Sequence, residues 1–233
     1  MKAIILAGGK GTRLKPYTTN FPKPLMPIGD KPILEIVINR LKEAGIKDII
    51  ITTGHLSEMI RTFFGDGYKF GVNIEYSIED KPLGTAGPIK LLKDGLKENF
   101  LVMNGDVLSD INYSKIIDSH IINNNIATVG VVLRHVHVDF GLVDVDTKNN
   151  FLSWKEKPTI EYLVSMGIYV FSPDALKYLP SEDFFNLPDF IQRLKKNEVK
   201  IRSYLHKGYW LDIGRPADYE KACNDFEGSD DAY

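Results

Sequence analysis

The chain has a single cysteine, Cys223, among 233 residues, so an internal disulfide is excluded. That usage fits a reducing cytoplasm. Cys223 falls in an expected terminal helix among polar residues, a poor setting for a reactive thiol. Excess charge of either sign is also missing, the formal net charge being -2. Nucleic-acid binding usually rests on a basic patch or stripe, and none is present. There is no polybasic membrane anchor either. No apolar run approaches the ~20 residues needed to span a bilayer. The N-terminus opens directly into an apolar strand and lacks the length and small-residue cleavage pattern of a signal peptide. Internal repeats and linkers are absent, and the one low-complexity spot, residues 123–125, reads as a loop. These absences give no reason to expect a nucleic-acid or membrane partner.

What is present is an ordinary globular balance, with 43% hydrophobic and 26% charged residues. A chain of this length buries most of its apolar surface without staples. Strand and helix patterns alternate, which predicts a sheet with helices on its faces. Residues 3–7 are continuously apolar and meet Gly8-Gly9, so they read as a buried central strand. A helix is expected over 32–44, with Pro32 in its first turn and Gly45 just past its end. Strands follow at 48–53, 72–77 and 100–103. Helices are expected over 57–64 and from about Thr85, with Pro88 tolerated in the first turn. The second half is richer in strands: 127–134, 142–145, 151–155, 167–171, 199–205 and 209–213. Helices are expected at 189–196 and 217–226. The whole of 1–226 reads as one domain, with halves of about 1–110 and 111–226, and 227–233 as a frayed acidic tail.

The loop Gly8-Gly9-Lys10-Gly11-Thr12-Arg13-Leu14 directly follows the first strand. Glycines let the backbone turn sharply and approach a ligand closely, and successive amides in such a turn form an anion-binding nest. Lys10 and Arg13 add positive charge, and arginine grips phosphate with two parallel hydrogen bonds. The loop lacks the upstream glycine and following hydroxyl of a Walker A motif. Leu14 stands where a dinucleotide fingerprint has its third glycine. A glycine turn without a ligand is the plainer reading of the loop by itself. The continuation argues against it. Pro22-Lys23-Pro24-Leu25 braces a lysine between two prolines. A surface lysine needs no such bracing, whereas one that must reach a reacting phosphate benefits from it.

Leu6-Ala7-Gly8-Gly9-Lys10-Gly11-Thr12-Arg13-Leu14, followed by Phe21-Pro22-Lys23-Pro24-Leu25, resembles the signature of the sugar-1-phosphate nucleotidyltransferases. The resemblance extends over nearly the whole chain. It implies a Rossmann-like three-layer α/β fold, with a mixed, mostly parallel central sheet and a small strand-rich portion for the sugar. It implies a nucleotide site at Leu6, Ala7, Gly8, Gly9, Gly11, Thr12, Arg13 and Lys23, with Arg13 and Lys23 as catalytic groups. The base loop falls at Pro82-Leu83-Gly84-Thr85-Ala86-Gly87, and its Leu-Gly-Thr-Ala-Gly most resembles the guanylyltransferases, mannose-1-phosphate guanylyltransferases included. Locally Thr85 also reads as a helix cap.

Asn104-Gly105-Asp106 ends an apolar strand, and ligands in open α/β sheets lie outside such ends. A carboxylate there suits Mg²⁺, which prefers oxygen ligands. Asp212, within Trp210-Leu211-Asp212-Ile213-Gly214-Arg215-Pro216, matches the family segment carrying the second metal-binding aspartate. Glu156-Lys157-Pro158 matches the sugar-site segment, with the glutamate on sugar hydroxyls and the lysine on the sugar phosphate. Gly141, Ser165, Gly167 and Trp210 complete the expected sugar site. Many relatives read Asn-Ala-Gly where this chain reads Ser165-Met166-Gly167, which puts the family's sugar preference in question here. His135 and His137 share one strand face but have no third ligand pattern, so they read as surface histidines.

The implied reaction joins a nucleoside triphosphate, GTP by the base loop, to a mannose- or heptose-type sugar-1-phosphate, releasing pyrophosphate. Two rivals share the layout. A glycosyltransferase would carry Asp-x-Asp at the metal strand, whereas Asp106 is followed by Val107-Leu108. A non-catalytic regulatory subunit could lose Lys23, Asp106 or Asp212, and all three are present. The sequence leaves the oligomeric state open, a homodimer included.

Overall fold

The computed structural model describes residues 1–227. The expected tail lies, from residue 228 onward, outside the described residues. The chain forms β1 (Lys2–Leu6), two 3-10 turns (Thr12–Leu14 and Lys23–Leu25), and a small hairpin of β2 (Pro27–Ile28) and β3 (Lys31–Pro32). Then come α1 (Ile33–Glu43), β4 (Asp48–Thr53), α2 (Ser57–Phe64), β5 (Asn73–Ile78), α3 (Gly87–Leu92), β6 (Phe100–Asn104), β7 (Val107–Ser109) and α4 (Tyr113–Ile122). The rest is β8 (Ala127–His137), β9 (Leu142–Val145), β10 (Phe151–Lys155), β11 (Thr159–Phe171), α5 (Leu187–Lys196), β12 (Ile201–His206), β13 (Trp210–Asp212) and α6 (Pro216–Glu227).

Seven strands make one sheet in the order β12-β8-β11-β6-β1-β4-β5. β1 pairs in parallel with β4 and β6, β4 with β5, and β8 with β12. Only β11 runs against its neighbours β6 and β8. The sheet is therefore mixed and mostly parallel, as expected. Its strands alternate their burial. Ala3, Ile5, Ile49, Ile51, Leu101 and Met103 face α1, α2 and α4. Ile4, Ile50, Phe100, Val102, Tyr169 and Phe171 face α3 and α5. Both faces are covered, so the central strands read as continuous apolar runs. After β1 the chain builds outward to β4 and β5, then returns to β6 on the other side. That reversal opens a crevice at the carboxyl ends of β1 and β6.

A third apolar cluster lies outside the sheet. Leu14, Met26, Ile28, Ile33, Leu108, Leu211, Ile213 and Ala222 join the N-terminal loop to β7, β13 and α6. It ties the first residues of the chain to its last helix, around the mouth of the crevice. Among the described residues no helix is long and apolar enough to cross a membrane.

Some elements differ from the sequence expectation. β11 starts at Thr159, well before the expected 167, because Gly167 marks an irregularity inside a strand rather than its start. The register with β8 shifts between Ser165 and Tyr169, and Gly167 has φ +71° there, the mark of a glycine bulge. α3 starts at Gly87, and Thr85 does not cap it. The Thr85 hydroxyl instead accepts from the Leu187 amide at 2.8 Å, at the start of α5. α5 itself begins two residues before its expected start, because Asn186 and Asp189 form a capping box. β2, β3, β7 and α4 were not expected. α4 is capped by Asn112, whose side chain accepts from the Lys115 amide at 2.9 Å.

His120, in the last turn of α4, is almost fully buried, with Nδ1 at 2.9 Å from the Thr128 hydroxyl and Nε2 buried without a partner. Burial lowers its pKa from 6.5 to about 4. The unfolded chain takes up this proton at the ordinary value and the folded chain resists it. The contribution is therefore intact above pH 6.5 and is lost as pH falls toward 4. The window is worth roughly 3 kcal/mol. Urea midpoints measured between pH 7 and 4.5 should fall more steeply for the wild type than for His120→Gln. Parallel curves would show that His120 does not carry the effect.

Candidate active site

β1 delivers the glycine loop to the crevice. The Ala7 amide donates to the Thr52 carbonyl at 2.9 Å, which holds the loop's entry against β4. Gly11 turns the chain with φ +60°, and its carbonyl accepts from the Thr18 hydroxyl at 2.7 Å. Leu14 then drops into the third apolar cluster with no exposure. The loop is anchored at both ends. A side chain at Gly9 would meet no protein atom within 4 Å, so protein packing does not explain that glycine. Arg13 lies over Gly214, its guanidinium 3.4 Å from where a β-carbon on Gly214 would stand.

Lys23 is carried by the second 3-10 turn and is only 8% exposed. Its ammonium pairs with Asp106 Oδ2, in the turn between β6 and β7. The other oxygen of Asp106, Oδ1, is buried with no hydrogen-bond partner. β13 runs antiparallel to β7 and sets Asp212 opposite Val107, and the Ile213 amide donates to the Asp106 carbonyl at 3.1 Å. Burial, and next the charge of Asp106, push the Asp212 carboxyl above its usual range, while Lys23 and Arg13 pull it down. Two carboxylates and two cations thus converge where β1, β6 and β13 end. Among the described residues no group of three or more His, Cys, Asp or Glu could hold a metal. The donor set is two hard oxygen groups, one with a buried oxygen lacking a partner. That fits a cation which completes its shell with water and phosphate oxygens, as Mg²⁺ does.

One cavity of about 810 Å³ joins these groups to the 82–85 loop. Its lining includes Leu6, Ala7, Gly8, Gly9, Gly11, Thr12, Arg13, Lys23, Asp106 and Asp212, together with Pro82, Gly84 and Thr85. Every residue expected for nucleotide and metal is therefore brought to one place. The expected sugar residues are outside that lining. Ser165 bonds the Tyr169 hydroxyl at 2.9 Å, and Trp210 donates to the Met166 carbonyl at 2.9 Å. Gly167 lies against Asn104, which does line the cavity, so this group borders it. Gly141 is pressed on the Trp154 ring, and Glu156 accepts from Trp154 Nε1 at 3.0 Å. Lys157 is exposed, with φ +41°. These three lie on or beside the β9–β10 hairpin, away from the cavity lining. His135 and His137 are exposed and contact Glu161 and Asp139.

Several lining residues escaped the sequence reading, among them Thr52, Gly54, Glu79, Asp80, Lys81 and Phe184. Glu79 directly follows β5, at the same end of the sheet as Asp106, and that position was a signal available in the sequence. Its Oε2 accepts from the Leu83 amide at 3.1 Å. Oε1 stands 2.5 Å from where a β-carbon on Gly8 would be, so Gly8 makes room for it. Burial raises its pKa above the ordinary value, partly offset by the Leu83 amide. Phe184 comes from the segment before α5, and no local pattern marks it.

The profile of the family described as nucleotidyl transferase matches residues 2–229. The chain belongs to that family. It is 37% identical to D-glycero-alpha-D-manno-heptose 1-phosphate guanylyltransferase of Campylobacter jejuni, over 94% of this chain and 97% of the relative. It is 34% identical to UTP–glucose-1-phosphate uridylyltransferase of Synechocystis, over 95% of this chain but only 62% of that longer protein. In structure it is similar to a putative glucose-1-phosphate thymidylyltransferase from Bacillus anthracis, with a TM-score of 0.79 and 27% identity over 100% of this chain and 98% of that one. These nucleotidyl transferases are named for three different bases, so likeness alone does not choose among them.

The base loop's conformation has a direct cost test. Gly84 has φ +76°, and a β-carbon there would run into the Phe185 carbonyl. Gly84→Ala should lower the thermal midpoint by about 3–8 °C, the shift that roughly 1–3 kcal/mol of strain produces in a chain of this size. A midpoint within a degree of wild type, read by circular dichroism, would contradict the geometry.

Proposed function

We propose that the protein is a sugar-1-phosphate nucleotidyltransferase. A phosphate oxygen of the sugar-1-phosphate attacks the α-phosphorus of a nucleoside triphosphate. The bond from that phosphorus to the bridging oxygen breaks, and pyrophosphate leaves with the electron pair. The observation that carries this reading is the buried Lys23, paired with an Asp106 that keeps one oxygen without a partner, beside Asp212 and below a glycine loop. The attacking phosphate is already ionised near pH 7, so no general base is required. Positioning and charge stabilisation do the work. The loop amides, the open space at Gly9 and the Arg13 guanidinium suit the leaving pyrophosphate. Lys23 suits the α-phosphate. Asp106 and Asp212 would hold Mg²⁺, which when bound supplies charge neutralisation at the phosphates.

We assign residues of about 1–110 to the nucleotide and 111–226 to the sugar phosphate, with Glu156, Lys157, Ser165 and Trp210 on the sugar side. The cytoplasm is the compartment that fits a lone thiol and a phosphorylated substrate. Glu79 favours guanine. Guanine presents two adjacent donors on its pairing edge, which a carboxylate can accept together. Uracil and thymine flank a single donor with carbonyls, which a carboxylate repels. The near end-to-end match with the Campylobacter heptose 1-phosphate guanylyltransferase supports the same base and a manno-configured sugar.

Pyrophosphate release from GTP with mannose- and heptose-1-phosphates, in the presence of Mg²⁺, tests the reaction. Lys23→Ala and Asp106→Asn should each lower kcat at least about 100-fold with folding retained, in line with loss of one preorganised charge contact. Near-normal turnover by either variant removes its assigned role. Glu79→Gln should reduce the kcat/KM preference for GTP over UTP by about 10-fold or more, as expected for a lost two-point base contact. An unchanged ratio would place base selection elsewhere.

A further inference from the structure

We infer that Phe184 is the stacking platform for the nucleotide base. The inference rests on the nucleotidyl-transfer reading above and adds to it a residue from the far half of the chain. Among the described residues lining the large cavity, Phe184 is the only phenylalanine, tyrosine or tryptophan. It is 60% exposed, whereas Phe185 beside it is 6% exposed and lies in the core. One ring of the pair builds the fold, and the other is left facing the cavity.

The segment that carries it is held on both sides. Asp183 pairs with Lys81 at 3.0 Å and Lys90 at 3.3 Å. The Phe185 amide donates to the Leu83 carbonyl at 3.1 Å, and its carbonyl accepts from the Ala86 amide at 3.1 Å. The Asn186 side chain accepts from the Thr85 amide at 3.3 Å. Phe184 is thus presented from a fixed backbone, directly against the loop that reads the base. Phe184 also lines a second, smaller cavity of about 350 Å³. An exposed ring shared by two cavities has room to lie flat on a planar ligand. Glu79 and the 82–85 backbone can read a base edge but offer it no face. An aromatic face binds every base, because each has a π-surface.

The test uses Phe184→Ala, Phe184→Leu, Phe184→Tyr and Phe184→Trp in the full chain. Phe184→Ala should raise KM for the nucleoside triphosphate about 10-fold, within the range measured for loss of one stacked base. The rise should be similar for GTP and UTP, with kcat within about twofold and KM for the sugar phosphate unchanged. Tyr should restore the wild-type KM and Leu should not. Phe184→Trp should show indole fluorescence quenched by GTP alone, beyond the change that GTP causes in wild type. A triphosphate KM within twofold of wild type in Phe184→Ala overturns the inference. So does full rescue by Leu, which would mean simple apolar contact, or a rise confined to the sugar phosphate. If the wild type releases no pyrophosphate from any triphosphate, the function reading fails. The Phe184→Trp titration still decides the stacking.

Discussion

The pairing of Lys23 with Asp106 is the contact on which the site depends, because it joins segments far apart in the chain inside a low-dielectric crevice. A buried charge is tolerated only when paired and hydrogen-bonded. Lys23 can remain nearly buried because Asp106 answers it. Asp106 can hold one oxygen without a partner because Lys23 compensates its charge. Breaking such a pair by removing one partner leaves an uncompensated charge, which costs more than the pair itself contributes. The arrangement is therefore poised rather than relaxed. Its unused acceptor and the upward-shifted Asp212 are the kind of stored electrostatic demand that a cation and phosphates satisfy.

The rest of the fold can be read as support for that contact. The parallel strands bring β1 and β6 side by side, so their carboxyl ends open on the same crevice. The third apolar cluster then fixes Leu14 and Met26 against Leu211 and Ile213, so the arms bearing Arg13, Lys23 and Asp212 share one packed base. A phosphate site built on loops gains precision when the loops are held by core contacts at each end.

Much of this was legible in the residues. A continuous apolar run meeting Gly8-Gly9 identified β1, strand patterns at 48–53 and 100–103 matched β4 and β6, and the proline brackets singled out Lys23. The strand-end position identified Asp106. What was hidden depended on distant partners. Gly167 reads locally as a strand boundary, and only pairing with β8 and β6 makes it a bulge within β11. Thr85 reads as the cap of the next helix, but its hydroxyl serves α5, about a hundred residues on. Phe184 carries no local sign, since its place at the cavity comes from its segment packing against residues 83–87. α4 is a different case. Asn112 before Tyr113, Ile116 and Ile117 was an ordinary capped amphipathic start that the sequence reading passed over.

The stitching of residues 83–87 to 183–187 has a consequence for how such enzymes change. Gly84 and Gly87 are held to glycine by the backbone of Asp183 and Phe185 rather than by a ligand. The base loop is thus a mould cast against its partner segment. A loop of different length or shape, transplanted from a relative, would have to bring its own counterpart of residues 183–187. Glu79 belongs to the same mould, since its side chain accepts from the Leu83 amide. A change in the shape of this loop is then expected to need two distant segments altered together.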